Sequence, residues 1–135
     1  MKKIRIASAI ITNSKNELLV VRKYNSLFFM LPGGKIAVNE SIEETLVREL
    51  SEELDLDFKS DDFTFLGTHE TAAANEEHTT VQGNIFLLIA PLDVAVIHHA
   101  EIEEVRWISK NNYSTYQLAH LLKEFALPKW LADFK

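Results

Sequence analysis

PGGKIAVNESIEETLVRELSEELDL, residues 32–56, places two adjacent glycines ahead of a helix start and then crowds acids onto that helix. Pro32 fixes φ and donates to no sheet ladder, while Gly33 and Gly34 permit backbone angles that other residues resist, so the chain turns here. Ser41 followed three residues later by Glu44 fits a capping box, in which hydroxyl and carboxylate reciprocally satisfy backbone donors. The helix therefore begins near Ile42. Ile42, Leu46, Val47, Leu50 and Leu54 fall within an arc of about 140° at about 100° per residue, an apolar stripe that predicts packing on a sheet. No glycine stops the helix, and Asp55 and Asp57 oppose the macrodipole at its end.

Beside that stripe, Glu49 reaches Glu52 at i+3 and Glu53 at i+4, the three spanning about 100° of the wheel. Like charges at these spacings repel by a few tenths of a kcal/mol per pair, and by more as water is excluded. Arg48 is the only basic residue between Glu40 and Asp57, and one guanidinium cannot neutralise the group. A hard divalent cation does so, magnesium characteristically combining a few carboxylates with waters and substrate phosphates. Periodicity alone leaves the question open, and for a generic stretch of this kind a solvated acidic helix face is the favoured reading.

Outward from this stretch, Lys3 to Thr12 and Glu17 to Tyr24 are β-rich runs separated by the turn-forming Asn13-Ser14-Lys15-Asn16, which predicts a hairpin. Phe63 to Thr71 and Thr79 to Ala90 predict two strands joined by a polar loop, Ala74 to His78. Val94 to Ile97 and Glu104 to Ile108 are candidate short strands. Ser114 to Phe125 has helical spacing, Pro128 is expected to break it, and Trp130, Leu131 and Phe134 predict a short terminal helix. Strands with helices at two separated places predict an α/β sandwich around a mixed sheet.

The length, 135 residues, predicts a single domain over 1–135, and 47% hydrophobic with 25% charged residues is an ordinary globular composition. The apolar N-terminal run is interrupted by Arg5 and fits a strand better than a signal segment. Ile85 to Leu92, the longest apolar stretch, is too short to span a bilayer, so no membrane partner is expected. Cysteine is absent, which fits a cytoplasmic location. A net charge of -6 argues against binding of a nucleic acid polymer, yet permits a small phosphorylated substrate where a cation inverts the local field. A homodimer is compatible with the sequence, because apolar edges used for pairing look like core positions.

The full spacing is more specific than the helix alone. Gly34, five residues, Glu40, seven residues, then Arg48-Glu49-Leu50-Ser51-Glu52-Glu53-Leu54-Asp55-Leu56 closely resembles the signature of the Nudix hydrolases. Every specified position matches except Asp55, where the family usually has glycine. Lys2 through Leu54, including Leu31-Pro-Gly-Gly-Lys-Ile36, is similar to the N-terminal half of MutT-type members, the nucleoside triphosphate pyrophosphohydrolases. Glu101-Ile-Glu-Glu-Val-Arg-Trp107 resembles the acidic strand approach that often supplies a further carboxylate.

The resemblance implies a Nudix-like α/β/α sandwich and hydrolysis of a phosphoanhydride in a nucleoside diphosphate linked to another group. It implies Mg2+, with Mn2+ as a substitute. Carried over by motif position, Glu52 and Glu53 would be metal ligands, Gly34 would offer its carbonyl, and Glu49 would serve as ligand or base. Arg48 would orient the carboxylates and Glu40 would support the loop. Glu101 is the preferred distal carboxylate, with Glu103, Glu104, Glu76 and Glu77 as alternatives. Glu49, Glu52 and Glu101 are contenders for the general base, Glu49 ranked first.

For the substrate, Gly33 and Gly34 are expected beside it, and Arg22 and Lys23 are candidates for its phosphate or ribose. Phe29, with Phe28, is a candidate stacking wall, one of the two being expected in the core. His78 is a candidate base or phosphate contact, while His98 and His99 lack a third ligand for a transition metal. Trp107 is expected in the core. A (d)NTP or oxidised (d)NTP, cleaved to the monophosphate and pyrophosphate, is the leading substrate class, and ADP-ribose or a nucleotide sugar the alternative. A catalytically silent nucleotide-binding module and an acidic protein-interaction surface are the readings from other classes.

Overall fold

The computed structural model describes residues 2–73 and 76–134. In order they form β1 (Lys2–Ile10), β2 (Leu18–Lys23), β3 (Gly33–Lys35), α1 (Ile42–Leu54), β4 (Phe63–Ala72), β5 (Thr79–Leu88), β6 (Ile102–Ile108) and α2 (Leu127–Leu131). One sheet has the order β3-β1-β5-β4 and a second pairs β2 with β6. The β1–β5 pair is parallel and its neighbours antiparallel, so the larger sheet is mixed as the element pattern predicts.

Strand alternation divides the apolar residues between two cores. Ala7, Ala9, Ile11, Leu19 and Val21 pack with Leu46, Leu50 and Leu54 of α1. Their neighbours Ile10, Leu18 and Val20 pack with Leu122, Ala126 and Trp130 near the C-terminus. Helices thus cover both faces, giving the expected α/β/α sandwich.

Local chemistry accounts for α1. Glu44 N–H donates to Ser41 Oγ at 3.1 Å and Ser41 N–H to Glu44 Oε1 at 2.8 Å, completing the capping box. At the other end Asp55 adopts the left-handed conformation, φ 54° and ψ 37°, and its N–H reaches the Leu50 and Ser51 carbonyls. The helix therefore closes where the motif has glycine, with an aspartate in the glycine conformation.

Five expectations are corrected. The turn expected at Gly33 and Gly34 is only a bend at Pro32, after which both glycines run extended in β3 against β1. The first two strands form a hairpin only at its tip, where Thr12 bridges Leu18. Both edges of β1 are taken, by β3 and by nine residues of β5, so β2 is left to pair with β6. Val94 to Ile97 is irregular, its chain held by Leu92 N–H to Thr12 O and His99 N–H to Glu53 O. The helix expected from Ser114 starts only at His120, because Gln117 and Ala119 exchange backbone hydrogen bonds with Phe29 at 2.8 Å.

Pro128 does not break the terminal helix. It follows a π turn, Leu122–Ala126, closed by Leu127 N–H to Leu122 O. A widened turn accommodates the missing N–H and the ring that an α turn would press on the preceding carbonyls. The loop expected at Ala74 to His78 includes Ala74 and Asn75, which lie outside the described residues. Among the described residues, no helix is long and apolar enough to cross a membrane.

Candidate functional site

The register of β1 with β3 sets Gly34 opposite Ala7 and Gly33 opposite Ser8. Gly33 has φ 150°, and a Cβ there would overlap the Ala7 carbonyl. A Cβ at Gly34 would overlap the Glu49 carboxylate. The glycines of β3 and the acidic arc of α1 therefore meet in direct contact.

Glu53 lies deeper, at 5% exposure. Its carboxylate has no hydrogen bond or ion pair among the described residues. Burial first, and the Glu49 charge second, push its carboxyl up to about 7, while Lys23 opposes the rise and Glu101 and Glu52 add to it. Burial also raises Glu49, against the pull of Arg48.

Arg48 binds the motif from outside. Its Nε and Nη2 donate to the two Glu40 oxygens at 2.8 and 3.0 Å, and Nη1 reaches Glu52 at 3.2 Å and Glu49 at 3.4 Å. Thr45 Oγ1 donates to Glu40 at 2.9 Å. These bonds, Arg48's first, hold the Glu40 carboxyl below its ordinary range, and the Glu40 contact leads in holding the Arg48 proton more tightly than usual. Glu40 and Arg48 thus brace the loop against the helix.

Glu52 is more exposed and turned to Arg48. Among the described residues no three Asp, Glu or His side chains stand ready to enclose one ion. The chemistry of the donor set nevertheless fits a hard divalent cation. Glu53, without a hydrogen bond or ion pair among the described residues, and the partly buried Glu49 lie together, Glu49 against Gly34, with Arg48 and Lys23 offsetting the charge of Glu49 and Lys23 that of Glu53. Glu101 is exposed and stands 3.5 Å from Lys23, within electrostatic reach of Glu53.

A cavity of about 260 Å³ opens beside this cluster. Ile4, Ile6 and Ser8 of β1 line it with Val81 of β5, between Gly33 and Gly34 on one side and Ala119 to Leu122 on another. Lys23 lines the cavity and also offsets the charge of Glu49 and Glu53. It is the cation joining the two.

Several sequence expectations fall elsewhere. Arg22 does not line the cavity. Its Nε and Nη2 donate to Glu104 at 2.9 and 2.6 Å, and Nη1 reaches Ser26 O and Glu103 at 2.9 and 2.7 Å, so its donors are committed to structure. Phe29 is 8% exposed and stacks edge-on with Tyr116 at 5.3 Å in the core, not as a wall of the cavity. Phe28 lines a separate groove with Tyr113 and Tyr116. His78 is exposed and holds Lys2 N–H through its carbonyl at 3.2 Å, while Glu76 in its loop lines the cavity instead. His98 Nδ1 is bonded to Ile102 O at 2.9 Å. Trp107 packs on the α1 core as expected.

The residues missed are the cavity's own: Ile4, Ile6, Ser8, Thr71, His120 and Leu121. The sole sequence signal was the apolar alternation ending in a serine along β1, which is equally that of a half-buried strand.

A model of the NUDIX domain matches residues 2–133. Over 60 residues the chain is 45% identical to an 8-oxo-dGTP diphosphatase of Escherichia coli (strain K12), covering 40% of this chain and 45% of that protein. The matches span about half the length of the curated relatives. A MutT NUDIX hydrolase from Burkholderia pseudomallei superposes with a TM-score of 0.75 at 18% identity, covering 91% of this chain and 95% of the other. A bifunctional NMN adenylyltransferase/ADP ribose pyrophosphatase from Francisella tularensis gives 0.70 at 14% identity, covering 98% and 42%. These two likenesses concern the fold.

Proposed function

Because the chain belongs to the NUDIX family, we propose that residues 1–135 act as one cytoplasmic MutT-like hydrolase domain, cleaving a nucleoside triphosphate or its oxidised form to the monophosphate and pyrophosphate. The observation that carries this is Glu53, a 5%-exposed residue whose carboxylate makes no hydrogen bond or ion pair among the described residues, close to Glu49, which packs on Gly34 at the edge of a cavity large enough for a planar ring.

Glu53 and Glu52 would hold magnesium, or manganese, with the Gly34 carbonyl, Glu49 serving as ligand or base, and Glu101 would stand as the distal carboxylate. The metal supplies charge neutralisation of the phosphate oxygens and stabilisation of the leaving group. Water adds to one phosphorus, the anhydride P–O bond breaks, and the proton lost by water passes to a carboxylate. Glu49 is our choice, because its carboxylate packs on Gly34 at the side of the cavity where the phosphates would lie. Lys23, shared by cavity and carboxylates, would meet a substrate phosphate. Arg48 and Glu40 would keep the loop and helix in register.

The test is a hydrolysis panel of normal and oxidised nucleoside triphosphates, ADP-ribose and nucleotide sugars, with magnesium and with chelator. Turnover of a triphosphate that is lost on chelation and in Glu53→Gln is expected. Turnover surviving both would overturn the metal-dependent mechanism, preference for ADP-ribose would move the substrate class, and nucleotide binding without turnover would identify a silent module.

A further inference from the structure

Thr45 stands in the first turns of α1, its N–H bonded to the carbonyl of the cap, Ser41, at 3.0 Å, and the residue is fully buried. Position 45 is one of the seven that the family spacing leaves open between Glu40 and Arg48. A buried helix position favours alanine or leucine, and threonine there costs a few tenths of a kcal/mol, flagged only as an order of magnitude by propensity scales of about this size. A helical threonine hydroxyl ordinarily turns back to a carbonyl of the preceding turn. Here it reaches the loop ahead of the helix.

Thr45 Oγ1 donates to Glu40 Oε1 at 2.9 Å and accepts from Ala37 N–H at 3.4 Å. Glu40 N–H donates to Ala37 O at 3.2 Å, and Asn39 between them takes a left-handed φ of 72°. The hydroxyl thus ties together the first and last residues of the turn that leads from β3 to α1. Ile36 N–H, one residue earlier, donates to Arg5 O at 3.0 Å and continues the pairing that holds Gly33 and Gly34. Apolar burial does little to fix this turn, Val38 being 89% exposed. Polar bonds therefore set where the glycines stand relative to the helix.

Glu40 Oε1 accepts from both Thr45 and Arg48 Nη2, while Oε2 takes Arg48 Nε. A carboxylate held by a guanidinium alone moves with that guanidinium, whereas a third donor rooted on the helix fixes it. Arg48 Nη1 is then left 3.2 Å from Glu52 and 3.4 Å from Glu49. Were Arg48 released from Glu40, its donors would turn to those two carboxylates and compete with a cation for their oxygens. We propose that Thr45 is a positioning residue for the carboxylate cluster: its hydroxyl holds Glu40, Glu40 holds Arg48, and Arg48 so held leaves Glu49 and Glu52 available at the site of a divalent cation. This inference rests on the reading of the cluster as a metal site.

Manganese binding to the nucleotide-free chain, followed by titration calorimetry, reads the effect without turnover. Thr45→Val keeps the shape and removes the hydroxyl, and is expected to weaken manganese about three- to tenfold, the loss of one hydrogen bond. Thr45→Ser, which keeps the hydroxyl, is expected to bind within about twofold of wild type. In the hydrolysis assay the magnesium concentration for half-maximal rate should rise in Thr45→Val, with kcat recovered at saturating magnesium. Thr45→Ala, whose helix propensity is higher, supplies the same reading should valine not be accepted in the core. Wild-type manganese affinity in folded Thr45→Val or Thr45→Ala would overturn the inference. So would a loss in Thr45→Ser equal to that in Thr45→Val, which would trace the effect to methyl packing. Absence of manganese binding by the wild-type chain would instead overturn the metal-site reading, so the two failures stay distinct.

Discussion

The Glu49 carboxylate occupies the space that a side chain at position 34 would need, so Gly34 and Glu49 are one contact made by two elements. A side chain at position 34 would displace the Glu49 carboxylate, the far end of a flexible side chain, from its neighbours.

Gly34→Ala is therefore expected to lower kcat by about 100-fold or more, the scale of an ångström misplacement in a reacting constellation. Stability should change little, because the displaced group is the end of a flexible side chain and not backbone. Denaturant unfolding and kinetics on the same sample check both, and wild-type turnover in Gly34→Ala would show that the contact is dispensable.

Glu53 gives the pH prediction. Its folded pKa, about 7, lies above the ordinary 4.5, so the folded chain holds this proton more tightly than the unfolded one. Its contribution is most favourable below 4.5, is lost as pH rises toward 7, and stays as a penalty above. In chelator, Glu53→Gln should exceed wild type in stability at pH 8 by on the order of 2–3 kcal/mol, with the gap closing toward pH 4. Urea unfolding across that range measures it, and a constant gap would contradict the burial account. Magnesium should narrow the gap at pH 8 by binding the wild-type site.

Arg22 and Lys23 are adjacent in sequence but differ in surroundings, which predicts opposite phenotypes. Arg22→Ala should lower Tm and leave KM within about twofold, because its donors serve Glu104, Glu103 and Ser26. Lys23→Ala should raise KM about tenfold or more with little change in Tm, as expected for a lost charged phosphate contact. A KM effect confined to Arg22→Ala would reverse the assignment.

Asp55 holds a left-handed conformation at the end of α1. Asp55→Gly is expected to stabilise the chain by a few tenths to about 1 kcal/mol, strain relief exceeding the added entropy of the unfolded glycine. Activity should be unchanged, since the helix already closes at this residue. Destabilisation on chemical unfolding would mean that the aspartate side chain contributes more than its backbone costs.

The sequence by itself determined α1. Its cap, its apolar stripe and its acidic arc depend on contacts three and four residues apart, and those spacings are written directly in the chain. It also determined the family spacing that links the two glycines to the helix, whereas the strand pairing that holds those glycines extended in β3 was decided by the fold. The tertiary structure decided which strand took each edge of β1, and so parted β2 from its hairpin neighbour. It decided that Glu104 and Glu103 would occupy Arg22 while leaving Lys23 for the cavity, although the two side by side read as equivalent cations. It also brought Ile4, Val81, Thr71 and His120 around one cavity. Those residues lie far apart in sequence and come together only when sheet register and core packing close the chain on itself, so no local pattern could announce them.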